Sequence, residues 1–102
     1  MGFDQNFVID KNDPRDFVKA AEAKGTNGIT MEVYTDMPGV QFYSGNHIGE
    51  GLSGKHGHTY GPRTGFCFET QFFPNTCNVP TFPSNLLKAG KKYHSETLYK
   101  FV

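Results

Sequence analysis

The run "GFCFETQFF", residues 65–73, constrains the fold more than any other part of the sequence, because its apolar and polar side chains alternate. Successive side chains of a β-strand point to opposite faces of the sheet, so Phe66, Phe68 and Phe72 share one face and Glu69 lies on the other. A buried carboxylate without a partner costs several kcal/mol. The run therefore predicts a strand that packs by its aromatic face, with Glu69 directed to open solvent or to a polar cleft.

Other short segments also have strand character: "NFVID", "GITMEVYTD", "VQFYSG" and "ETLYKFV". The chain contains 10 Phe and 5 Tyr, while 12 Gly and 6 Pro repeatedly interrupt the regular patterns. This combination favours short strands joined by turns, so we expect an all-β fold. Residues 47–62 are polar and rich in glycine, which predicts a long surface loop.

One segment favours a helix instead. The sequence "RDFVKAAEAK" is rich in Ala, Lys and Glu, with Asp13 placed to cap a helix and Pro14 in a first-turn position. Local propensity therefore predicts a helix over residues 16–24.

The composition excludes several classes of partner. At 102 residues the chain forms one domain at most, and its 10 basic and 10 acidic residues cancel to zero net charge. Nothing therefore steers it toward nucleic acid or an anionic membrane. The longest apolar runs are too short to span a bilayer, and "MGFDQNF" lacks the features of a signal peptide. We expect a cytoplasmic protein with no nucleic-acid or membrane partner.

Cysteines and histidines give no metal site. Cys67 and Cys77 are too few for a disulfide framework and match no common zinc spacing, so we interpret them as reduced thiols. His56 and His58 form "HGH" with His47 upstream, but a third and fourth ligand on a rigid support are missing. We interpret them as solvated loop histidines and expect no metal.

Three polar residues lie in otherwise apolar or glycine-bounded stretches: Asp4 in "GFDQNF", Gln41 in "PGVQFYSGN", and Glu69. Each alone is compatible with a turn or edge residue that has its hydrogen bonds satisfied. Together, beside aromatic residues that could stack on a sugar ring, they are typical of a carbohydrate site. Sugars offer hydroxyls to carboxylates and amides, and apolar C–H faces to aromatic rings.

Five blocks carry a family resemblance: "GFDQNFVI", "MEVYTDMPGVQFYSGN", "GFCFETQFFPN", "FPSNLLKAGKKY" and the closing "YKF". In this order they resemble the aldose 1-epimerases, also called galactose mutarotases, over nearly the whole chain. The resemblance implies an antiparallel β-sandwich of which residues 1–102 are only a C-terminal part. It also implies a strand, and not a helix, over residues 16–24.

The family interconverts the α and β anomers of aldoses such as galactose and glucose without a cofactor. The resemblance implies that Glu69 is the base and that Asp4 and Gln41 hold sugar hydroxyls. It also implies that the acid histidine, a second histidine and an arginine belong to an upstream part. The chain departs from the family at Gln5, where many members have His, and at "NGI", where they have Ser-Gly-Arg.

Two other functions remain open from the sequence. One is a carbohydrate-binding module that holds a sugar without converting it. The other is a structural remnant of the sandwich, in which strand edges left without partners lead to self-association.

Overall fold

The computed structural model describes all 102 residues and consists of β-strands, turns and irregular segments. The eight strands are β1 (Asp4–Val8), β2 (Val18–Lys24), β3 (Thr30–Thr35), β4 (Gly39–Tyr43), β5 (Leu52–Ser53), β6 (Thr59–Tyr60), β7 (Cys67–Gln71) and β8 (Thr97–Phe101). Two single turns of 3₁₀ helix cover Lys55–Gly57 and Thr76–Asn78. The all-β prediction is confirmed. No helix is both long and apolar enough to span a bilayer.

Six of the strands form two antiparallel sheets of three strands each. Sheet 1 has the order β1-β4-β7, and sheet 2 has the order β2-β3-β8. The central strand of each sheet has a neighbour on both sides, so it holds the best-buried apolar residues. Val33 on β3 is 0% exposed and Val40 on β4 is 4% exposed.

The two sheets face each other through one side of each. The hydroxyls of Thr70 on β7 and Thr97 on β8 lie 2.7 Å apart, and the Tyr99 hydroxyl donates to the Phe68 carbonyl at 2.9 Å. The rings of Phe42 and Phe68 pack on the same inner side of sheet 1, with centroids 5.3 Å apart. This layering of antiparallel sheets is that of part of a β-sandwich, as expected.

The helix predicted from propensity over residues 16–24 is wrong, and the strand implied by the family resemblance is correct. Strand β2 pairs with β3, so that Ala21 lies opposite Val33 and Ala23 opposite Met31. The small side chains of Ala21 and Ala23 lie on the face of sheet 2 that is directed toward sheet 1. Pairing with β3 outweighs the modest helix preference of Ala, Lys and Glu.

The predicted surface loop over residues 47–62 is partly ordered. Within it β5 and β6 form a two-stranded hairpin, with Leu52 opposite Tyr60. The Tyr60 ring packs over Gly54, where a Cβ would lie 2.1 Å from it. Both short strands are exposed, so the surface location was predicted correctly.

The chain crosses from sheet 2 to sheet 1 through residues 36–38, and polar contacts hold this crossing. Asp36 accepts a hydrogen bond from Arg15 at 2.7 Å and another from the Glu96 backbone amide at 3.0 Å. The Lys11 ammonium donates to the Thr35 carbonyl at 3.1 Å, and burial lowers the pKa of Lys11. The fixed crossing sets where β4, and therefore Gln41, lies.

Candidate functional site

The three predicted site residues lie on the three strands of sheet 1. In the strand register Gln41 on β4 is directly opposite Glu69 on β7 and Asn6 on β1. Residues directly opposite in a sheet share a face, and Asp4 shares the face of Asn6 because side chains alternate. The polar face of sheet 1, as we call it, therefore carries Asp4, Asn6, Gln41, Glu69 and Gln71.

Hydrogen bonds link four of these side chains. The Gln41 Nε2 donates to Asp4 Oδ1 at 2.9 Å. The Gln71 Nε2 donates both to Gln41 Oε1 and to Asn6 Oδ1, each at 3.1 Å. Since Gln71 donates to its oxygen, the Gln41 amide is held in one orientation. The second N–H of Gln41 Nε2 has no partner within this set and can donate to a ligand.

Glu69 differs from its neighbours because it has no partner of its own. Its side chain is exposed, and none of the five ion pairs in the structure includes it. The residue opposite Glu69 on the neighbouring strand is Gln41, whose side chain is a neutral amide and not a cation. An ionised carboxylate in this position can accept hydrogen bonds or a proton from a bound molecule.

The aromatic residues of β7 lie on the face opposite Glu69, as the alternation predicted. Phe66 and Phe68 lie on the inner face of sheet 1, away from Glu69, so they cannot stack on a sugar held there. Phe73 is the ring that reaches the polar face. A Cβ at Gly39 would lie 2.9 Å from this ring and 2.6 Å from Asn6 Oδ1, so Gly39 makes room for both.

The polar face is open. The five main cavities have other linings, and none of them includes Asp4, Gln41 or Glu69. The largest, about 520 Å³, opens between the two sheets beside Phe42 and Phe66. Three strands therefore supply a floor for a ligand, without the walls of a cleft.

No histidine lies on the strands of sheet 1. His47, His56 and His58 fall between β4 and β7, and His94 precedes β8. No group of three or more His, Cys, Asp or Glu side chains is placed to hold a metal ion. Both cysteines are free thiols.

A second polar cluster lies on the outward side of sheet 2, and we call it the charged face of sheet 2. Its members are Lys19, Glu22, Glu32 and Lys100. Lys19 bonds to both glutamates, and the Tyr34 hydroxyl donates to Glu32 at 2.9 Å. The hydrogen bond from Lys19, followed by that from Tyr34, lowers the pKa of Glu32, while the bonds to both glutamates raise the pKa of Lys19.

The sequence analysis predicted Asp4, Gln41 and Glu69 as site residues but gave no role to Asn6 and Gln71. The alternation of side chains along a strand could have indicated Asn6 and Gln71, since each lies two residues after a predicted site residue and therefore on the same face. Nothing local in the sequence indicated that Gly39 admits Phe73, because that contact depends on how the chain turns after β7.

Comparison with known proteins identifies relatives over the whole chain. A family model described as aldose 1-epimerase matches residues 1–100. A galactose mutarotase from Sus scrofa is 43% identical over 100 residues, which cover 98% of this chain and 29% of the relative. The galactose mutarotase of Homo sapiens has the same identity and coverage.

A more distant relative is the aldose 1-epimerase of Escherichia coli (strain K12). It is 31% identical over 103 residues, which cover 99% of this chain and 30% of the relative. The chain thus spans less than a third of the length of the curated relatives that it matches.

Proposed function

The chain belongs to the aldose 1-epimerase family, and on this premise we propose that residues 1–102 form a C-terminal part of such a domain and carry the base of its sugar site. The observation that supports this most is that Asp4, Gln41 and Glu69 share one face of three adjacent strands. The proposed reaction interconverts the α and β anomers of hexoses such as galactose and glucose. It consists of proton transfers and needs no cofactor.

In this proposal Glu69 is the general base. Its carboxylate takes the proton of the anomeric hydroxyl while an acid protonates the ring oxygen, so the bond between the anomeric carbon and the ring oxygen breaks. The open-chain aldehyde then rotates about the bond to its neighbouring carbon, and closure on its other face gives the other anomer. The exposure of Glu69 and its lack of a cation support this role.

Asp4 and Gln41 bind sugar hydroxyls in this proposal. The Asp4 carboxylate accepts from a hydroxyl, and the unpaired N–H of Gln41 donates to one. Gln71 acts through Gln41, because it holds the amide in the orientation that directs this N–H outward. A rigid sheet is a suitable support, since a site must be held to within a fraction of an ångström.

The acid must come from outside sheet 1, because no histidine lies on its strands. We propose that the rest of the domain supplies it, together with the walls of the cleft. The chain by itself is then a sugar-binding floor without turnover, which is the second candidate function. We also propose that the protein acts in the cytoplasm on small-molecule aldoses.

Polarimetry of freshly dissolved α-galactose tests two parts of the proposal: that the chain alone does not convert the sugar, and that it carries the base of the complete domain. The isolated chain should not accelerate mutarotation above buffer, since general acid catalysis is typically worth about 10² to 10⁴ in rate. A chimera, in which residues 1–100 replace the matching segment of the Sus scrofa mutarotase, should be active.

Two results would contradict the proposal. If the isolated chain accelerates mutarotation and Glu69→Gln abolishes the effect, one of the chain's own histidines supplies the proton. If the chimera folds, by circular dichroism and thermal melting, but is inactive while the parental mutarotase is active, the chain does not carry a competent base.

A further inference from the structure

Glu69 is the one residue of the polar face of sheet 1 whose side chain no other side chain holds. Hydrogen bonds fix the amides of Gln41 and Gln71, whereas none reaches Glu69. Its strand, β7, lies at the edge of sheet 1 and pairs with β4 alone. The place of the Glu69 carboxylate therefore depends on how firmly the backbone of β7 is held.

Two hydrogen bonds from β8 hold the residues immediately before and after Glu69, and we call this pair of contacts the β8 anchor. The Tyr99 hydroxyl donates to the Phe68 carbonyl at 2.9 Å. The Thr70 hydroxyl lies 2.7 Å from that of Thr97. Thr97 and Tyr99 are two residues apart on β8, so their side chains share the face that is directed to sheet 1. The first contact holds a backbone group, and the second holds a side chain whose branched Cβ ties it closely to its backbone.

The threonine hydroxyls of the β8 anchor have a fixed order of donors. Each hydroxyl has a single proton, and that of Thr35 is donated to the Glu96 carbonyl at 3.0 Å. At the 3.0 Å contact between Thr35 and Thr97, the proton therefore comes from Thr97. Thr97 then has no proton left, so Thr70 donates at the 2.7 Å contact. This chain of hydrogen bonds passes through Thr35, which is 0% exposed, and it fixes the orientation of the Thr70 side chain.

The β8 anchor is supported from within the chain. In the register of sheet 2, Thr97 lies opposite Thr35 and Tyr99 lies opposite Val33, and both partners are fully buried on the central strand β3. All donors and acceptors of the anchor belong to this chain, so the contacts do not depend on what the rest of a longer domain adds. Strand β1, the other edge strand of sheet 1, has no hydrogen bond with β8. The anchor therefore acts on β7 and not on β1.

We propose that Thr97 and Tyr99 are positioning residues of the sugar site, because they hold the chain on both sides of Glu69. This inference rests on the proposed function, in which Glu69 is the base. The two hydroxyls lie on the inner side of sheet 1, so they do not contact a sugar on the polar face. Their loss should therefore lower the rate of proton transfer more than sugar binding, since Asp4 and Gln41 lie on other strands.

Polarimetry of the chimera tests the positioning role. Tyr99→Phe and Thr97→Val each remove one hydroxyl at nearly constant volume, and each should lower kcat about three- to tenfold while KM for galactose stays within about twofold. Thr97→Ser keeps the hydroxyl and should leave kcat within about twofold of the unchanged chimera. Tyr34→Phe is the matched control, because it removes a tyrosine hydroxyl from the charged face of sheet 2, and it should leave kcat within about twofold.

Amide hydrogen exchange of the full 102-residue chain tests the anchor without any sugar. In the double variant Tyr99→Phe/Thr97→Val, the protected amides of β7 should exchange about three- to tenfold faster, because β7 opens more readily without the anchor. The protected amides of β1 should change by less than about twofold, since β1 has no hydrogen bond with β8.

The outcomes separate this inference from the proposed function. An active chimera in which Tyr99→Phe and Thr97→Val leave kcat unchanged, or raise KM instead, would overturn the positioning role and leave the proposed function standing. Loss of kcat in Thr97→Ser as large as in Thr97→Val would also overturn it, because the hydroxyl would then not be the cause. Equal acceleration of exchange in β1 and β7 would show a general loss of stability and no anchor. A folded but inactive chimera contradicts the proposed function and, with it, this inference.

Discussion

The outward faces of the two sheets both carry carboxylates, but the carboxylates differ in the partners that surround them. On the charged face of sheet 2, Glu32 is held by Lys19 at 3.0 Å, by Lys100 at 3.6 Å and by the Tyr34 hydroxyl. On the polar face of sheet 1, Glu69 has no cation and its neighbours are amides. A carboxylate surrounded by cations has its acceptor capacity used within the protein, whereas an unpaired one can act on a ligand. The difference supports the polar face of sheet 1 as the proposed site.

The largest expected effect separates these two glutamates in the chimera. Glu69→Gln should lower the mutarotation rate by about 10² to 10⁴, because the base is lost while the shape is kept. Glu32→Gln makes the same chemical change on the charged face and should leave the rate within about twofold. Polarimetry measures both rates. Equal losses in the two variants would contradict the distinction between the polar face and the charged face.

A smaller effect concerns the close packing of the polar face. Gly39→Ala should lower the free energy of unfolding of the isolated chain by about 1–3 kcal/mol, because the added Cβ meets Phe73 and Asn6. Gly65→Ala is the control, since its nearest atom would lie 3.9 Å away, and it should cost less than about 0.5 kcal/mol. Urea denaturation measures both, and equal losses would show that Gly39 has no special fit.

A third prediction concerns Gln71, which donates a hydrogen bond to Gln41 and is proposed to position its amide. In the chimera Gln71→Ala should raise KM for galactose by roughly three- to tenfold with a smaller effect on kcat, because the Gln41 amide loses its fixed orientation. Tyr34→Phe removes one hydrogen bond from the charged face and should leave KM unchanged. If both variants behave alike, the hydrogen bonds of the polar face do not position the amide.

The smallest effect is in the pH dependence of stability. Because Lys19 and Tyr34 lower the pKa of Glu32 in the folded chain, their stabilisation is present above the ordinary value of 4.5 and is lost as the pH falls below it. Glu32→Gln should therefore flatten the acid side of a plot of unfolding free energy against pH. An acid side that stays equally steep in Glu32→Gln would contradict this prediction.

Most of the fold could be predicted from local pattern. Alternation over Phe66–Phe68–Thr70 and over Met31–Val33–Thr35 identified β7 and β3, since a half-buried strand imposes a period of two on its sequence. Local pattern failed for β2, because Ala, Lys and Glu favour a helix there and the strand forms only through its pairing with β3. The family resemblance corrected that segment, because it reflects the fold as a whole.

The site was less predictable than the strands. Period two places Glu69 and Gln71 on one face, but only the register of three strands brings Asp4 and Gln41 beside them. Register depends on contacts between residues far apart in sequence, which no local pattern contains. The packing of Phe66 and Phe68 on the face opposite Glu69 was predicted correctly, because it needs only the alternation within one strand.

The central claim is that the polar face of sheet 1 binds an aldose, and NMR titration of the isolated, isotope-labelled chain with galactose tests it most directly. The account predicts that the side-chain amide signals of Asn6, Gln41 and Gln71 shift together, and that those of Asn75 and Asn78, which lie outside this face, do not. Glu69→Gln should reduce these shifts. Signals that move only outside the polar face, or no movement at high galactose concentration, would contradict the account.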